Sequence, residues 1–205
     1  PIITTGINGD AFSLSVKDDA LLTINPGATL TVVDLVNIDP LGEILLEGAN
    51  GAADGSSSSV SGSLIQVDDS ATNTGTGKLT LNRNTFVRSR DYVYWSSPVE
   101  DYAVTSILNT PNIFKWIPTI FVDSATQFGN CTATTENMIA GKGYIVRGGP
   151  EGNGTNDTAA WNTATFEGVP NNGIITIPIL RGTCIGNGCG GTGNGGAGSK
   201  IILID

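Results

Sequence analysis

Histidine is absent from this sequence of 205 residues, and its absence excludes several kinds of catalytic and metal site. A Ser-His-Asp triad needs histidine as its general base. Structural zinc sites usually combine cysteine with histidine, and only three cysteines are present. Acidic pairs such as Asp18-Asp19 and Glu100-Asp101 are adjacent, so on a strand their side chains point to opposite faces. We therefore predict no catalytic residue, no metal ligand set and no enzymatic activity.

Basic residues are also scarce, and this excludes two classes of partner. The chain has 10 Lys and Arg against 19 Asp and Glu, giving a net charge of −9. Nucleic acids and anionic membrane surfaces bind through Lys and Arg, so neither is a predicted partner. No apolar run approaches the roughly 20 residues that span a bilayer. The sequence begins at Pro1 without a signal-peptide pattern, so we expect a processed form or a fragment.

The three cysteines leave one thiol over if a bridge forms. Cys184 and Cys189 flank a short Gly-rich loop and form the candidate disulfide. Pairing of Cys131 with either of them is equally allowed by the sequence, and free thiols are the other alternative. No cofactor is predicted. Calcium would suit the acidic, Ser- and Gly-rich turns around Asp54 and Asp68-Asp69, but no spacing matches an established calcium loop.

What the sequence has in abundance is small residues, with 28 glycines and many Thr, Asn and Ser. Only 14% of residues are charged, and this composition is typical of extracellular β proteins. Residues 1–84 contain short alternating strands broken by turn signals. The corners Ile24-Asn25-Pro26 and Ile38-Asp39-Pro40 lie 14 residues apart. Such units predict β-solenoid rungs or a β-meander, and two unrelated hairpins are the alternative.

The rest of the chain divides into two further regions, and the predicted fold class is all-β throughout. Residues 85–181 contain more aromatics and longer strands, which predict a β-sandwich-like domain with one short helical turn between Val99 and Leu108. Residues 182–205 are a Gly-rich tether that ends in an apolar strand. That strand can fold back on its own sheet, continue into a further domain or pair with a neighbouring subunit, and we favour the first two.

Three motifs in the middle region carry a family resemblance. They are Tyr94-Trp95-Ser96-Ser97-Pro98-Val99, the segment Met138 to Arg147 around Gly141-Lys142-Gly143, and the segment Phe166 to Ile177 around Pro170-Asn171-Asn172-Gly173. Together with the stretch 68–77, they resemble a module of secreted and cell-surface proteins of Bacteroidetes, the cargo of the type IX secretion system. After residue 181 the chain departs from that pattern, and the sorting domain of such cargo is absent.

The resemblance implies an extracellular or cell-surface location and glycosylation. The Bacteroidetes O-glycosylation pattern, Asp followed by Ser or Thr and a small apolar residue, occurs three times in predicted loops. The candidate acceptors are Ser70, Ser124 and Thr158. Sequons for N-glycosylation occur at Asn130, Asn153 and Asn156, and they matter only in a host that has that machinery.

These features predict a non-enzymatic structural or adhesive protein of the cell surface, a candidate filament subunit that assembles by β-strand pairing. Its expected partners are further copies of itself, other cell-surface proteins and glycans. The candidate assembly strands contain Ile2, Ile3, Ile201, Ile202, Leu203 and Ile204.

The alternative is a carbohydrate- or surface-binding module of a larger secreted enzyme. In that hypothesis Trp161 is the exposed sugar-stacking residue, while Trp95 and Trp116 are buried.

Overall fold

A computed structural model describes residues 1–108, 112–121, 128–148, 158–180 and 200–204, and the fold within them is all-β, as predicted. A 3-10 turn, Val104–Ser106, lies in the segment where one short helical turn was predicted. The strands of the first half are β1 (Ile2–Ile3), β2 (Asn8–Ala11), β3 (Leu14–Val16), β4 (Leu21–Ile24), β5 (Thr29–Val32), β6 (Val36–Ile38), β7 (Glu43–Leu46), β8 (Gly48–Ala49), β9 (Val60–Ser61) and β10 (Ser63–Gln66). The strands of the second half are β11 (Lys78–Val87), β12 (Tyr92–Trp95), β13 (Ile113–Phe121), β14 (Phe128–Ala133), β15 (Tyr144–Arg147), β16 (Ala160–Gly168), β17 (Ile175–Ile179) and β18 (Lys200–Ile204).

The strands of the first half stack in parallel, one turn of chain above the next. One stack is β1-β4-β7-β11, a second is β2-β5-β10, and a third is β3-β6. Ile2 pairs with Thr23, which pairs with Leu45, so a turn takes about 22 residues. The corners 14 residues apart are therefore not a repeat, because Ile24 lies in the first stack and Ile38 in the third. A meander and two hairpins, the other arrangements considered, are both wrong here.

Equivalent apolar side chains lie above one another in these stacks. Leu22 pairs with Ile44 and Ile44 with Leu79. Two residues further along each strand, Ile24 pairs with Leu46 and Leu46 with Leu81. All six are buried, and their two rows form part of a single hydrophobic core. The alternation in each strand therefore sends one face to the core and the other outward.

The corners need close approaches of the backbone, and Gly75 shows why glycine is used. Its φ is +87°, and a Cβ there would lie 1.9 Å from the carbonyl oxygen of Ile38. Only a residue without a side chain can pass the third stack at this distance.

The stacks are interrupted once by a detour between β7 and β10. It contains the antiparallel pair β8-β9, and its Gly- and Ser-rich composition is typical of a flexible, solvent-facing loop. Instead its tip is held against the sheet, because the Trp161 indole N–H donates to the carbonyl of Ala52 at 3.0 Å. Gly55 packs so closely on Phe86 that a Cβ would lie 2.1 Å from the ring.

β11 joins the two halves of the molecule. It pairs in parallel with β7 and, over its whole length, antiparallel with β16. A separate antiparallel sheet, β12-β15-β13-β14, contains the aromatic strand Tyr92–Trp95. The predicted boundary between residues 84 and 85 falls inside β11, and one hydrophobic core includes residues from both sides of it. The three-region division stays a prediction.

The C-terminal strand β18 pairs antiparallel with β17 of the same chain, with Ile175 opposite Ile204 and Ile179 opposite Lys200. The Gly-rich tether before it, residues 182–199, lies outside the described residues.

Candidate functional site

Three of the four segments that carry the family resemblance meet at one place, which we call the junction: residues 68–73, 96–100 and 169–173. The fourth, Met138 to Arg147, instead contributes β15, which pairs with β12. Val99 and Pro170 form an antiparallel bridge. The backbone N–H of Glu100 donates to the carbonyl of Val169 at 2.9 Å, and that of Asn171 donates to Pro98 at 3.0 Å. The motifs are thus distant in sequence but in contact in the fold.

Asparagine side chains complete the junction. The Asn172 amide donates to the carbonyls of Asp68 at 3.0 Å and Ala71 at 2.7 Å. Asn73 donates to the carbonyl of Pro170 at 3.2 Å. Gly173 has the positive φ, +88°, that its Asn-Gly pair predicts. These amides satisfy loop carbonyls that no strand pairs, which explains why the stretch 68–77 belongs with the other motifs.

A cleft of about 680 Å³ lies beside the junction, and we call it the junction cleft. The stacks contribute residues of β10 and β11 to it, and the junction contributes Asp69, Ser96 and Asn171. Arg83 of β11, an exposed residue, also lines it. The volume is within the usual range for small-molecule sites, and the sequence analysis did not predict it because its walls come from distant segments.

A second polar cluster is centred on Glu136. Its carboxylate accepts hydrogen bonds from Lys115, from Lys142 at 2.6 Å and from the Tyr144 hydroxyl at 2.8 Å. Partial burial acts to raise the pKa of Glu136, but these donors outweigh it and lower the pKa from 4.5 to about 2. Burial raises the pKa of Tyr144. These ion pairs and hydrogen bonds hold the turn before β15 in place.

The first turn of chain forms an open end of the stacks. Among the described strands, β1, β2 and β3 each pair on one side only. Side chains near this end are unusually exposed for their type, namely Ile2 at 66%, Ile7 at 54% and Phe12 at 72%. A cavity of about 410 Å³ lies at the same end. Apart from Ser15 and Lys17 its lining is apolar: Pro1, Ile3, Leu14, Val16, Ala20, Leu21, Leu22 and Leu30.

The predicted assembly residues separate into two places. Ile2 and Ile3 lie in β1 at the open end, paired with β4. Ile201, Ile202, Leu203 and Ile204 lie in β18, paired with β17. Donation of β18 to a neighbouring subunit stays a prediction.

The candidate glycosylation residues that the structure describes are all exposed. Ser70 is on a turn and its hydroxyl donates to Asp68 at 2.6 Å, Thr158 precedes β16, and Asn130 lies within β14. Hydrogen bonds from the Ser70 side chain and backbone lower the pKa of Asp68. Ser124, Asn153 and Asn156 lie outside the described residues.

The predicted disulfide residues Cys184 and Cys189 also lie outside the described residues, and Cys131 is an exposed thiol in β14. Within the described part of the chain, no group of three His, Cys, Asp or Glu side chains could hold a metal ion. In the same part, no helix is long and apolar enough to cross a membrane.

Two of the three tryptophan predictions are wrong. Trp116 is 51% exposed, whereas burial was predicted. Trp161 is half-buried; its ring packs against Phe86 at an interplanar angle of 52° with centroids 5.3 Å apart, and its N–H donates to the carbonyl of Ala52. Trp95 packs against the core, next to Phe166. Trp161 is therefore not available as a sugar-stacking platform.

A family model described as "Domain of unknown function (DUF8693)" matches residues 1–203. No curated protein and no solved structure matches the chain.

Proposed function

We propose that this chain, which belongs to the DUF8693 family, is a non-enzymatic structural module of the cell surface that self-associates through the open end of its stacks. At the level of fold, we infer that residues 1–81 form a short β-solenoid and that residues 92–147 contribute a sandwich-like layer. The resemblance to type IX secretion cargo supports an extracellular location.

The observation that carries the proposal is the unpaired edge of the first turn. Three strands there, β1, β2 and β3, present backbone N–H and C=O groups on a side that no described strand covers. Proteins usually protect such edges with charge, proline or a covering segment. Here the neighbouring large side chains are Ile2, Ile7 and Phe12, all of them exposed and apolar.

The apolar cavity at the same end supports the same conclusion. Ile3, Leu14 and Ala20 are only partly buried and pack at the margin of the core. A second copy placed on this end would pair strand edges and cover these side chains together. Burial of apolar area is the main driving force for such association.

The proposal is tested by placing charge on the open end. We expect wild-type protein to associate as its concentration rises in sedimentation velocity, and the double variant Ile2→Lys/Phe12→Lys to remain monomeric. Lysine on an edge disfavours pairing because it must be desolvated when a second strand approaches. The matched control is Leu41→Lys, since Leu41 is 68% exposed on a corner between β6 and β7.

Two results would contradict the proposal. One is wild-type protein that stays monomeric at every concentration. The other is association that survives Ile2→Lys/Phe12→Lys but is lost on deletion of residues 200–205, which would assign the contact to β18.

A further inference from the structure

We propose that the junction cleft binds an extended segment of a partner protein, which adds to the edge of β10 as one more parallel strand. The segment carries an acidic side chain near its N-terminal end and a basic side chain near its C-terminal end. This inference goes beyond the self-association proposed above and does not depend on it.

The first observation is that the second stack is one strand shorter than the first. The first stack has four described strands, β1, β4, β7 and β11, whereas the second has three, β2, β5 and β10. After β11 the chain goes on to β12, which belongs to the separate antiparallel sheet. The fourth turn of chain therefore supplies no described strand that could pair with β10.

The second observation is that the junction cleft runs along this edge of β10. All four residues of the strand, Ser63–Gln66, line the cleft. Side chains alternate between the two faces of a strand, so a cleft over one face would be lined by every second residue only. Four consecutive lining residues therefore indicate a cleft at the edge of the strand.

The backbone of β10 presents hydrogen-bonding groups at that edge. The N–H and C=O groups of successive residues in a strand point to opposite edges. The N–H groups of Ser63 and Val67 donate to carbonyls on the side of β5, at 3.0 and 2.9 Å. The N–H and C=O groups of Leu64 and Gln66 therefore face the cleft, where an added strand can pair with them.

The third observation is the apolar floor of the cleft. Leu79, Leu81 and Arg83 are two residues apart, so they share one face of β11, and all three line the cleft. Leu64 also lines it and is only partly buried against the core, whereas its counterpart one turn earlier, Leu30, is 6% exposed. A strand added to β10 would cover Leu64 as β10 covers Leu30, and burial of this apolar surface favours binding.

The fourth observation is a pair of opposite charges at the two ends of the cleft. The Ser61 hydroxyl donates to the carbonyl of Asn82 at 3.0 Å, which places the start of β10 beside Arg83. Asp69, which also lines the cleft, follows the end of β10. Among the described residues, neither Arg83 nor Asp69 forms an ion pair. A segment parallel to β10 therefore fits with its acidic residue first and its basic residue last.

The experiment measures binding of a synthetic peptide to the full chain by fluorescence anisotropy. The probe is labelled Glu-Thr-Leu-Thr-Val-Lys, blocked at both ends, which repeats the sequence of β5 between an acidic and a basic residue. The control peptide, Lys-Thr-Leu-Thr-Val-Glu, has the same composition with the two charges exchanged. We expect the probe to bind about tenfold more tightly than the control peptide.

Charge reversal at Arg83 assigns the binding to the cleft and fixes its direction. Arg83→Glu should weaken binding of the probe about tenfold and should strengthen binding of the control peptide, because its lysine then meets a carboxylate. A variant that merely misfolds would lose both peptides. The matched control is Arg90→Glu, also at an exposed position but outside the cleft lining, which should bind both peptides as the wild type does.

N-methylation of the probe tests the backbone pairing. In the proposed register the two threonines of the probe lie opposite Ser63 and Ile65, so their N–H and C=O groups face β10. A probe N-methylated at both threonines should not bind. A probe N-methylated at leucine and valine, whose N–H groups point away from β10, should bind as the unmodified probe does.

The proposal is overturned if the probe does not bind, or if the two peptides bind equally well. It is also overturned if Arg83→Glu leaves binding of the probe unchanged, which would place the peptide on another strand edge, such as those of the first turn. If Arg83→Glu instead abolishes association of the chain with itself, the occupant of the cleft is a second copy and the assignment to a partner protein is wrong.

Discussion

At the scale of single residues, Glu136 is a carboxylate surrounded by donors. Lys115, Lys142 and Tyr144 all donate to it, and the two lysine side chains are 23% and 28% exposed. The aromatic ring of Tyr144 also lies under Lys142, with the ammonium 5.3 Å from its centroid. Lys142 and Tyr144 belong to the sequence motif Met138 to Arg147, but Glu136, their carboxylate partner, lies outside it.

The lowered pKa of Glu136 gives a prediction for acid stability. The group binds a proton more readily in the unfolded chain, where its pKa is near 4.5, than in the fold, where it is about 2. Its contribution is therefore present above about pH 4.5 and is lost as the pH falls toward 2. We expect a loss on the order of 2 kcal/mol in the free energy of unfolding over this window.

Urea denaturation of Glu136→Gln measures that contribution directly. The variant should lose stability at neutral pH and show a flatter pH dependence below 4.5. The control is Glu167→Gln, whose partner Lys78 lies 3.2 Å away in an exposed pair, with an expected effect below about 1 kcal/mol. Equal effects for the two variants would show that the donors around Glu136 add nothing beyond a surface ion pair.

At the scale of elements, the rows of aliphatic side chains set the order of the stacks. Ile44 lies between Leu22 and Leu79 and is fully buried. Each row holds only if neighbouring turns keep the same register, because a shift of one residue would turn the row outward.

A truncation in one of these rows should be costly. We expect Ile44→Ala to lower the free energy of unfolding by about 3 kcal/mol, from lost burial and the cavity left behind. Leu21→Ala, in the adjacent strand but 46% exposed, should cost less than about 1 kcal/mol. Chemical denaturation compares the two, and similar losses would mean that the row is not the core of the stacks.

The alternation of apolar and polar residues predicted where most strands lie. It did not predict which strands pair with one another. A corner such as Asn25-Pro26-Gly27 has the same composition whether the next strand turns back or enters another sheet. The segment 11–16 alternates cleanly, yet the structure breaks it between β2 and β3. Pairing partners lie a whole turn apart, so local pattern alone could not separate stacked turns from hairpins.

The candidate site was harder to predict for a related reason. Trp161 was placed at the surface from its polar neighbours in sequence, but its cross-strand partner Phe86 and its acceptor Ala52 come from other segments. Tyr94 and Trp95 are neighbours in one aromatic strand, and only Trp95 was predicted to be buried. Alternation divides them between an exposed face and a packed one.

At the scale of the whole molecule, one hydrophobic core runs through both halves. It contains Val16 to Leu46 from the stacks, Leu79 and Leu81 from β11, and Val99 to Phe166 from the second half. Because β11 pairs with β7 on one side and with β16 on the other within one sheet, neither half can unfold without exposing apolar side chains of the other.

This continuity predicts a single cooperative unfolding transition. The three tryptophans, Trp95, Trp116 and Trp161, all lie beyond residue 84, whereas far-UV circular dichroism reports on strands of the whole chain. We expect the two signals to change together in urea. A fluorescence transition separated from the dichroism transition would instead favour independent units divided near residue 84.

The two ends of the stacks are not equivalent, and this difference governs the symmetry of any complex. At the last turn β11 is covered by β16 and β6 is bridged at Asn37 to Thr74, but β10 pairs on one side only; at the first turn β1, β2 and β3 all pair on one side only. If the same open end is used by both copies, the contact is isologous and closes at a dimer. Growth into a fibre needs a second, different surface on each copy. Contact through the first turn alone therefore stops at a dimer, and a fibre requires a second contact, such as one at the edge of β10 that no described strand covers.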